Sequence, residues 1–513
     1  MRKISTFLLM LVMGASSAYA LDGDTTVVQA FSFANGHLAS WTNQRDTVEF
    51  PDGSTQYEKI LMYYTLKCDP TQNPACGEWD YIFDTKLFEQ IGTDDQTSEP
   101  VYRTWKLGTY ITPYGYGINL GNGWTWVYDV SDFAHLLQGT KIIEDGNFQE
   151  LLDLKFIFIE GTPPRNLIDL QQIYQGDYQL STFDQTVKDT TVTLNPAAQY
   201  AKLRTTVTGH GFDNPENCAE FCPNIHSIKS NGQTVYSWNI IQECAENPLY
   251  PQGGTWIYDR AGWCPGMKGT TYEFDMTNYI SNGALNFDYN IQQKSDGNYR
   301  TAIYLATYGA INHQADVSAE DIIAPTNNPF QLRYNPTCGQ PIVVIKNIGA
   351  DILNTLEIQY GFGDSIYTFN WSGELAFMQL DTVVLPLPDW NEVQGQTGTF
   401  TYTLLNPNGQ TDPTPYNNAQ SSHFSTPLKL SVNALGFYFK TNKSPAETTW
   451  KLYDVQGNVL FQNGTMAANT VYSTSMPLAN GSYKLALYDA GNDGFDFWAN
   501  NDGTGIAQIR KDG

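Results

Sequence analysis

With 513 residues the chain is too long for one ordinary core, and two to four domains are expected. Only 16% of its residues are charged while 14% are aromatic, and 43 Gly and 25 Pro punctuate it, which favours many strands joined by turns over helices. A net charge of −25 excludes nucleic acid as a partner, because its phosphates would be repelled.

Residues 1–20 read as an export signal. Arg2 and Lys3 form a basic start, Ile4 to Met13 is mostly apolar and too short to span a bilayer, and Ala18-Tyr19-Ala20 fits small-x-small cleavage. No cysteine follows the cleavage point to carry a lipid, and no later apolar run suits a transmembrane helix. Export permits disulfides. Six of the seven cysteines fall into sequence-local pairs, Cys68/Cys76, Cys218/Cys222 and Cys244/Cys264, with Cys338 left over as a buried free thiol. Local pairing is the simplest arrangement, although sequence leaves the connectivity open. A zinc site is disfavoured because no C-x-x-C occurs.

Residues 21–185 form a first β domain. Lys59 to Leu66 and Leu154 to Glu160 read as strands, and Pro51-Asp52-Gly53 and Gly121-Asn122-Gly123 as turns. Val130-Ser131-Asp132-Phe133 is expected to open a short helix through Leu137, capped by Ser131 or Asp132. A second β domain covers 186–325, with strands at Thr190 to Leu194, Lys202 to Val207 and Tyr304 to Tyr308. Pro325 to Pro329 reads as a linker. Residues 330–426 follow the pattern of immunoglobulin-like accessory modules, with strands at Ile342 to Asn347 and Phe400 to Leu405. Residues 427–513 form a last β module for surface attachment, export or carbohydrate binding, with a hairpin turn at Tyr453 to Asn458. Asp489 to Asp496 has the oxygen donors of a Ca²⁺ loop, but Asn500 stands where an EF-hand needs Glu, so a Gly-Asp-rich turn is the better reading.

Three segments carry chemistry. Cys76-Gly77-Glu78-Trp79-Asp80 and Cys218-Ala219-Glu220-Phe221-Cys222 each hold a carboxylate beside a short disulfide loop, and a fixed acid is what general acid/base catalysis needs. Asp259 to Met267 adds a guanidinium, Arg260, and an aromatic face, Trp263.

Together with Tyr110-Ile111-Thr112-Pro113-Tyr114, Asp129 to Phe133 and Leu203 to Gly209, these motifs resemble the bacterial peptide-N-glycosidase F family, amidases that remove whole N-glycans from asparagine. The resemblance covers roughly residues 40–325. It implies two adjacent eight-stranded antiparallel jelly-roll sandwiches with the cleft where they meet. The whole chain is then all-β, the two small C-terminal β-sandwich modules completing it. It also implies Asp80 as the key catalytic residue, Glu220 as its support, and a further Glu at the end of a first-domain strand, for which Glu160 is the candidate. Arg260 would bind a sugar hydroxyl or the carbonyl oxygen, or else pair with a carboxylate. Trp79 and Trp263 would stack on sugar faces. Two positions depart from the family pattern: Tyr81 stands where Arg follows the catalytic Asp, and His210 where a substrate-facing Trp is found. Both sit in the expected substrate site.

The implied partners are N-glycosylated peptides and glycoproteins, acted on without a cofactor by a monomer that is secreted or held in the periplasm or at the cell surface of a bacterium. The rival readings are a non-catalytic glycan-binding surface protein on the same fold and an endoglycosidase, which would leave one sugar on the peptide. A copper site is not expected, since the six histidines include no His-His or His-x-His pair.

Overall fold

The computed structural model describes residues 22–35, 43–146, 149–211, 219–294, 296–334, 337–390, 393, 397–431 and 434–511. The expected export signal and Cys218 lie outside the described residues. Among these residues no helix is long and apolar enough to cross a membrane. The described chain is all-β, its sheets antiparallel throughout.

Eight strands form the first sandwich: β1 (Thr25–Phe31), β2 (Gln44–Phe50), β3 (Tyr57–Cys68), β4 (Ile82–Thr93), β5 (Pro100–Ile111), β6 (Trp124–Asp129), β7 (Gly139–Asp145) and β8 (Glu150–Glu160). Their sheets run β1-β8-β3-β6 and β2-β7-β4-β5, the order of a jelly roll. Alternation builds the core: Ile60, Met62, Tyr64 and Leu66 of β3 and Leu152, Leu154, Phe156 and Phe158 of β8 all point inward.

The second sandwich repeats this plan with β9 (Arg165–Gln179), β10 (Thr190–Thr193), β11 (Tyr200–His210), β12 (Ile225–Ser230), β13 (Gln233–Asn239), β14 (Ile241–Gln242), β15 (Arg260–Ala261), β16 (Thr271–Asp275), β17 (Ile280–Ser281), β18 (Ala284–Ile291) and β19 (Asn298–Ile311). Its sheets run β16-β11-β19-β9 and β10-β18-β12-β13, with β14 and β15 paired separately. Strand β9 lies before the break expected at residue 185, yet it hydrogen-bonds along β19, so the sandwiches divide at the turn after Glu160.

The helix expected through Leu137 is a single 3-10 turn, Ser131–Phe133. Neither expected cap residue caps it. Asp129 Oδ1 accepts from the Ser131 backbone and hydroxyl instead, Ser131 Oγ accepts from the Ile60 amide, and Asp132 is buried against Lys202.

Seven strands from Val317–Ala324 to Ala419–Ser425 form a three-on-four sandwich around Trp371, Phe400, Tyr402 and Phe424. Its first strand precedes the expected linker. Pro325 to Pro329 is fastened rather than free: Ser422 Oγ donates to the Pro325 carbonyl and the Asn327 amide to that of His423. Six strands from Ala434–Lys440 to Ile506–Lys511 form two three-stranded sheets around Phe437, Phe439, Trp450, Leu452 and Met476. The hairpin turn expected near Gly457 joins Thr448–Asp454 to Val459–Gln462.

Candidate functional site

The two large sandwiches meet along the end of β5. The amide of Ile111 donates to the Met267 carbonyl (3.0 Å), that of Gly266 to Ile111 (2.9 Å) and that of Gly269 to Thr109 (2.8 Å). This junction brings together the β3–β4 loop of one sandwich and the 219–269 region of the other.

The β3–β4 loop is closed by the Cys68–Cys76 disulfide. Its backbone is pinned on both sides of Asp80. Gln149 Oε1 accepts from the amides of Glu78 (2.7 Å) and Trp79 (3.1 Å), while its Nε2 donates to the Trp79 carbonyl (2.8 Å). Thr112 Oγ1 donates to the same carbonyl (2.8 Å) and accepts from the Tyr81 amide (2.8 Å). Gly77 has φ +72°, and a Cβ there would lie 2.0 Å from Gln149 Oε1, so this residue must be glycine for Gln149 to reach the loop.

Glu220 comes from the second sandwich. Its carbonyl accepts from the Ala261 amide (2.8 Å), and its side chain is largely buried. Cys222 is disulfide-bonded. Arg260 follows a long excursion closed by the Cys244–Cys264 disulfide. Its guanidinium is wholly buried: Nη1 donates to the Tyr258 carbonyl (2.6 Å), Nη2 to the Thr255 carbonyl (3.2 Å) and the Tyr114 hydroxyl (3.4 Å), and Nε lies 3.4 Å from Glu220 Oε1. The rings of Phe221 and Trp263 stand 5.1 and 5.0 Å from it.

One cation thus serves two carboxyls. Burial raises Asp80 above the ordinary carboxylate range, against the opposing pull of a Tyr114 hydrogen bond and Arg260. Burial also raises Glu220; Arg260 opposes the rise and the charge of Asp80 adds to it. Two acids sharing one guanidinium favour keeping a proton between them. Tyr114 is pushed up to about 12, chiefly by burial and then by Asp80, so its hydroxyl stays protonated and can donate.

Several expected residues occupy other roles. Glu160 pairs with Tyr57 at one end of β3, whereas the Asp80 loop leaves from Cys68 at the other, roughly 36 Å along the strand. The acid at the near end of β8 is Glu150, fully buried and opposite Cys68. Trp263 is 4% exposed, donates to the Gly209 carbonyl (2.8 Å) and stacks on His210, leaving no face for a sugar. His210 is held by Thr208 Oγ1 (2.9 Å), and burial lowers it to about 3, so it is neutral. Arg260 pairs with a carboxylate, the second of its expected roles. Trp79 is 57% exposed at the site, and Tyr81 is half-buried. Thr112, Tyr114 and Gln149 were not singled out; Thr112 and Tyr114 lie in the Tyr110 to Tyr114 motif, while Gln149 carries no local signal.

Cys338 is free and half-buried. A cavity of about 1060 Å³ lies between the sandwiches and the third module, and none of Asp80, Glu220 and Arg260 lines it. Two ion pairs lie in its wall, Lys202 with Asp132 (3.0 Å) and Lys59 with Glu320 (3.7 Å).

Residues 177–308 match the family model for the C-terminal domain of peptide-N-glycosidase F. A peptide-N(4)-(N-acetyl-beta-D-glucosaminyl)asparagine amidase F from Elizabethkingia miricola is 28% identical over 267 residues, 48% of this chain and 71% of the relative. A crystal structure of a peptide-N(4)-(N-acetyl-beta-D-glucosaminyl)asparagine amidase is similar over 56% of this chain and 98% of its own, at 23% identity and a TM-score of 0.45. PNGase F, a glycosylasparaginase from Flavobacterium meningosepticum, is similar over 56% and 96%, at 24% identity and a TM-score of 0.45. The resemblance carried by the motifs is therefore found in the family model and in the curated relative alike.

Proposed function

We propose, starting from the peptide-N-glycosidase F resemblance of the first two sandwiches, that this chain is a hydrolase of C–N amide bonds that cleaves N-glycans from asparagine. The observation that carries the reading is the meeting of Asp80 and Glu220, one from each sandwich, on the buried guanidinium of Arg260.

In the reaction a water adds to the side-chain carbonyl of the glycosylated Asn, and the C–N bond to the sugar nitrogen breaks. The water must lose a proton and the departing nitrogen must gain one. Asp80 is the primary acid/base, poised by burial to hold a proton and by Arg260 to release it. Glu220 orients the water and the first sugar. The Tyr114 hydroxyl faces Asp80 and is a donor for the carboxylate or the developing oxyanion. The products are Asp in the peptide and a glycosylamine. Trp79 offers its exposed face to a sugar. The export signal read at residues 1–20 supports a secreted, periplasmic or cell-surface enzyme, which acts as a monomer.

Mass spectrometry of an N-glycopeptide incubated with the protein tests this. Loss of the whole glycan with conversion of Asn to Asp is the expected result. A peptide keeping one sugar would make the protein an endoglycosidase. An unchanged peptide across high-mannose, complex and core-fucosylated glycans would make it a glycan-binding protein.

A further inference from the structure

The C-terminal module does not hang free of the site. Its loop after Tyr483–Asp489 reaches the second sandwich and buries Phe497, 8% exposed, in a cluster with Trp256, Ile257, Tyr114 and Ala245. The Phe497 ring meets that of Tyr258 edge-on at 6.0 Å, and Trp498 Nε1 donates to the Gly254 carbonyl (3.3 Å). The contacts with Gly254, Trp256, Ile257 and Tyr258 fall on one strap, Gly253 to Tyr258. The same strap also holds Arg260 and lies against Tyr114. The carbonyls of Thr255 and Tyr258 hold the Arg260 guanidinium, and Gly254 lies so close to the Tyr114 ring that a Cβ would stand 2.3 Å from it. From outside, the segment between the first two strands of the third module braces the neighbouring loop, Arg333 donating to the Ala245 carbonyl (3.0 Å).

We infer that Phe497 is a positioning residue for the reaction: the C-terminal module presses the 253–258 strap onto the site and thereby fixes Arg260 and Tyr114 against Asp80 and Glu220. The strap has no regular strand or helix hydrogen bonds of its own, so its shape depends on what packs on it. Small displacements of a group that orients reacting atoms cost one to two orders of magnitude in rate. The last module is thus part of the working site, contributed from more than 200 residues downstream of the strap, and not only an attachment or export device. This inference rests on the amidase reading.

The test uses the full chain with Phe497→Ala and Phe497→Leu, the second keeping most of the buried volume. The expected result for Phe497→Ala is a kcat lower by ~10- to 100-fold with KM changed much less, a shift in the pH dependence of kcat because Arg260, Tyr114, Asp80 and Glu220 no longer keep their spacing, and faster hydrogen exchange in 253–258. Phe497→Leu should restore most of the rate. A wild type that turns over while Phe497→Ala keeps its kcat and pH profile would overturn the inference and leave the amidase reading intact. A wild type inactive on every glycopeptide would overturn that reading; the strap is then judged by exchange, and unchanged protection of 253–258 in Phe497→Ala would overturn the docking as well.

Discussion

Asp80 and Glu220 are acids held in a setting that disfavours their charge. Because the folded protein binds their protons more tightly than the unfolded chain does, the stability they contribute is present at low pH and is lost as pH rises through their folded values. Asp80→Asn should therefore abolish turnover, by ~10³-fold or more, while raising the melting temperature at pH 7; the gain should shrink as pH falls through the raised Asp80 value and the wild-type carboxyl takes up its proton. A melting series of both proteins from pH 4 to 8 checks this, and a variant less stable than wild type at pH 7 contradicts it. Arg260 opposes the rise of both acids, so Arg260→Gln should move the acid limb of the rate profile to higher pH. It should also cost ~3–5 kcal/mol of stability, because it leaves buried Glu220 without its counter-charge. Denaturant titration beside a pH–rate profile separates the two effects.

At the level of elements, the loop between β3 and β4 shows how a catalytic acid is held still. A disulfide closes it, Gln149, just before β8, binds its backbone ahead of Asp80, and Thr112, just after β5, binds it on both sides of Asp80. Gln149→Leu removes three hydrogen bonds to the loop without touching Asp80. It should lower kcat ~10-fold or more with a loss of stability of about 1–3 kcal/mol; kinetics that match wild type would show that the loop is rigid without it. Local patterns announced this element well. The alternation in β3 and β8 and the spacing of Cys68 and Cys76 are short-range, set by the pleat of one strand and by the closure of one loop. The end of β8 was a different matter. Glu160 and Glu150 lie on one strand, and only its antiparallel register with β3 decides that Glu150, not Glu160, stands beside Cys68.

On the scale of the whole molecule, four cores are joined by apolar contacts, such as Phe497 on Trp256 and Phe330 on Trp126, and by polar ones. Asn417 Nδ2 donates to Glu58 Oε1 (2.8 Å) and Lys59 pairs with Glu320, linking the first sandwich to the third module. Among the described residues the fourth core is the smallest of the four, built around five buried apolar residues. Calorimetry should therefore show more than one transition, with the fourth module melting first. Asn417→Ala should lower the transition of the third module by weakening its docking, with kcat unchanged, since the Glu58 contact lies away from Asp80. One sharp transition in both proteins would mean that the four cores unfold together.

The all-β class and two of the local disulfides were readable from residue order, because each depends on neighbours within a strand or a loop. Burial and encounter were not. Arg260 and Trp263 lie in a motif that suggests sugar contacts, yet both are sealed inside the 244–264 excursion, and β9 crosses to the second sandwich against its place in the chain. The approach of Phe497 to Tyr114 joins residues 383 positions apart (497 − 114). No periodicity in a local window records such a contact. Which face of a side chain meets water, and which loop closes on which, follow from long-range packing of whole domains, whose free energy is spread over many residues rather than written at any one of them.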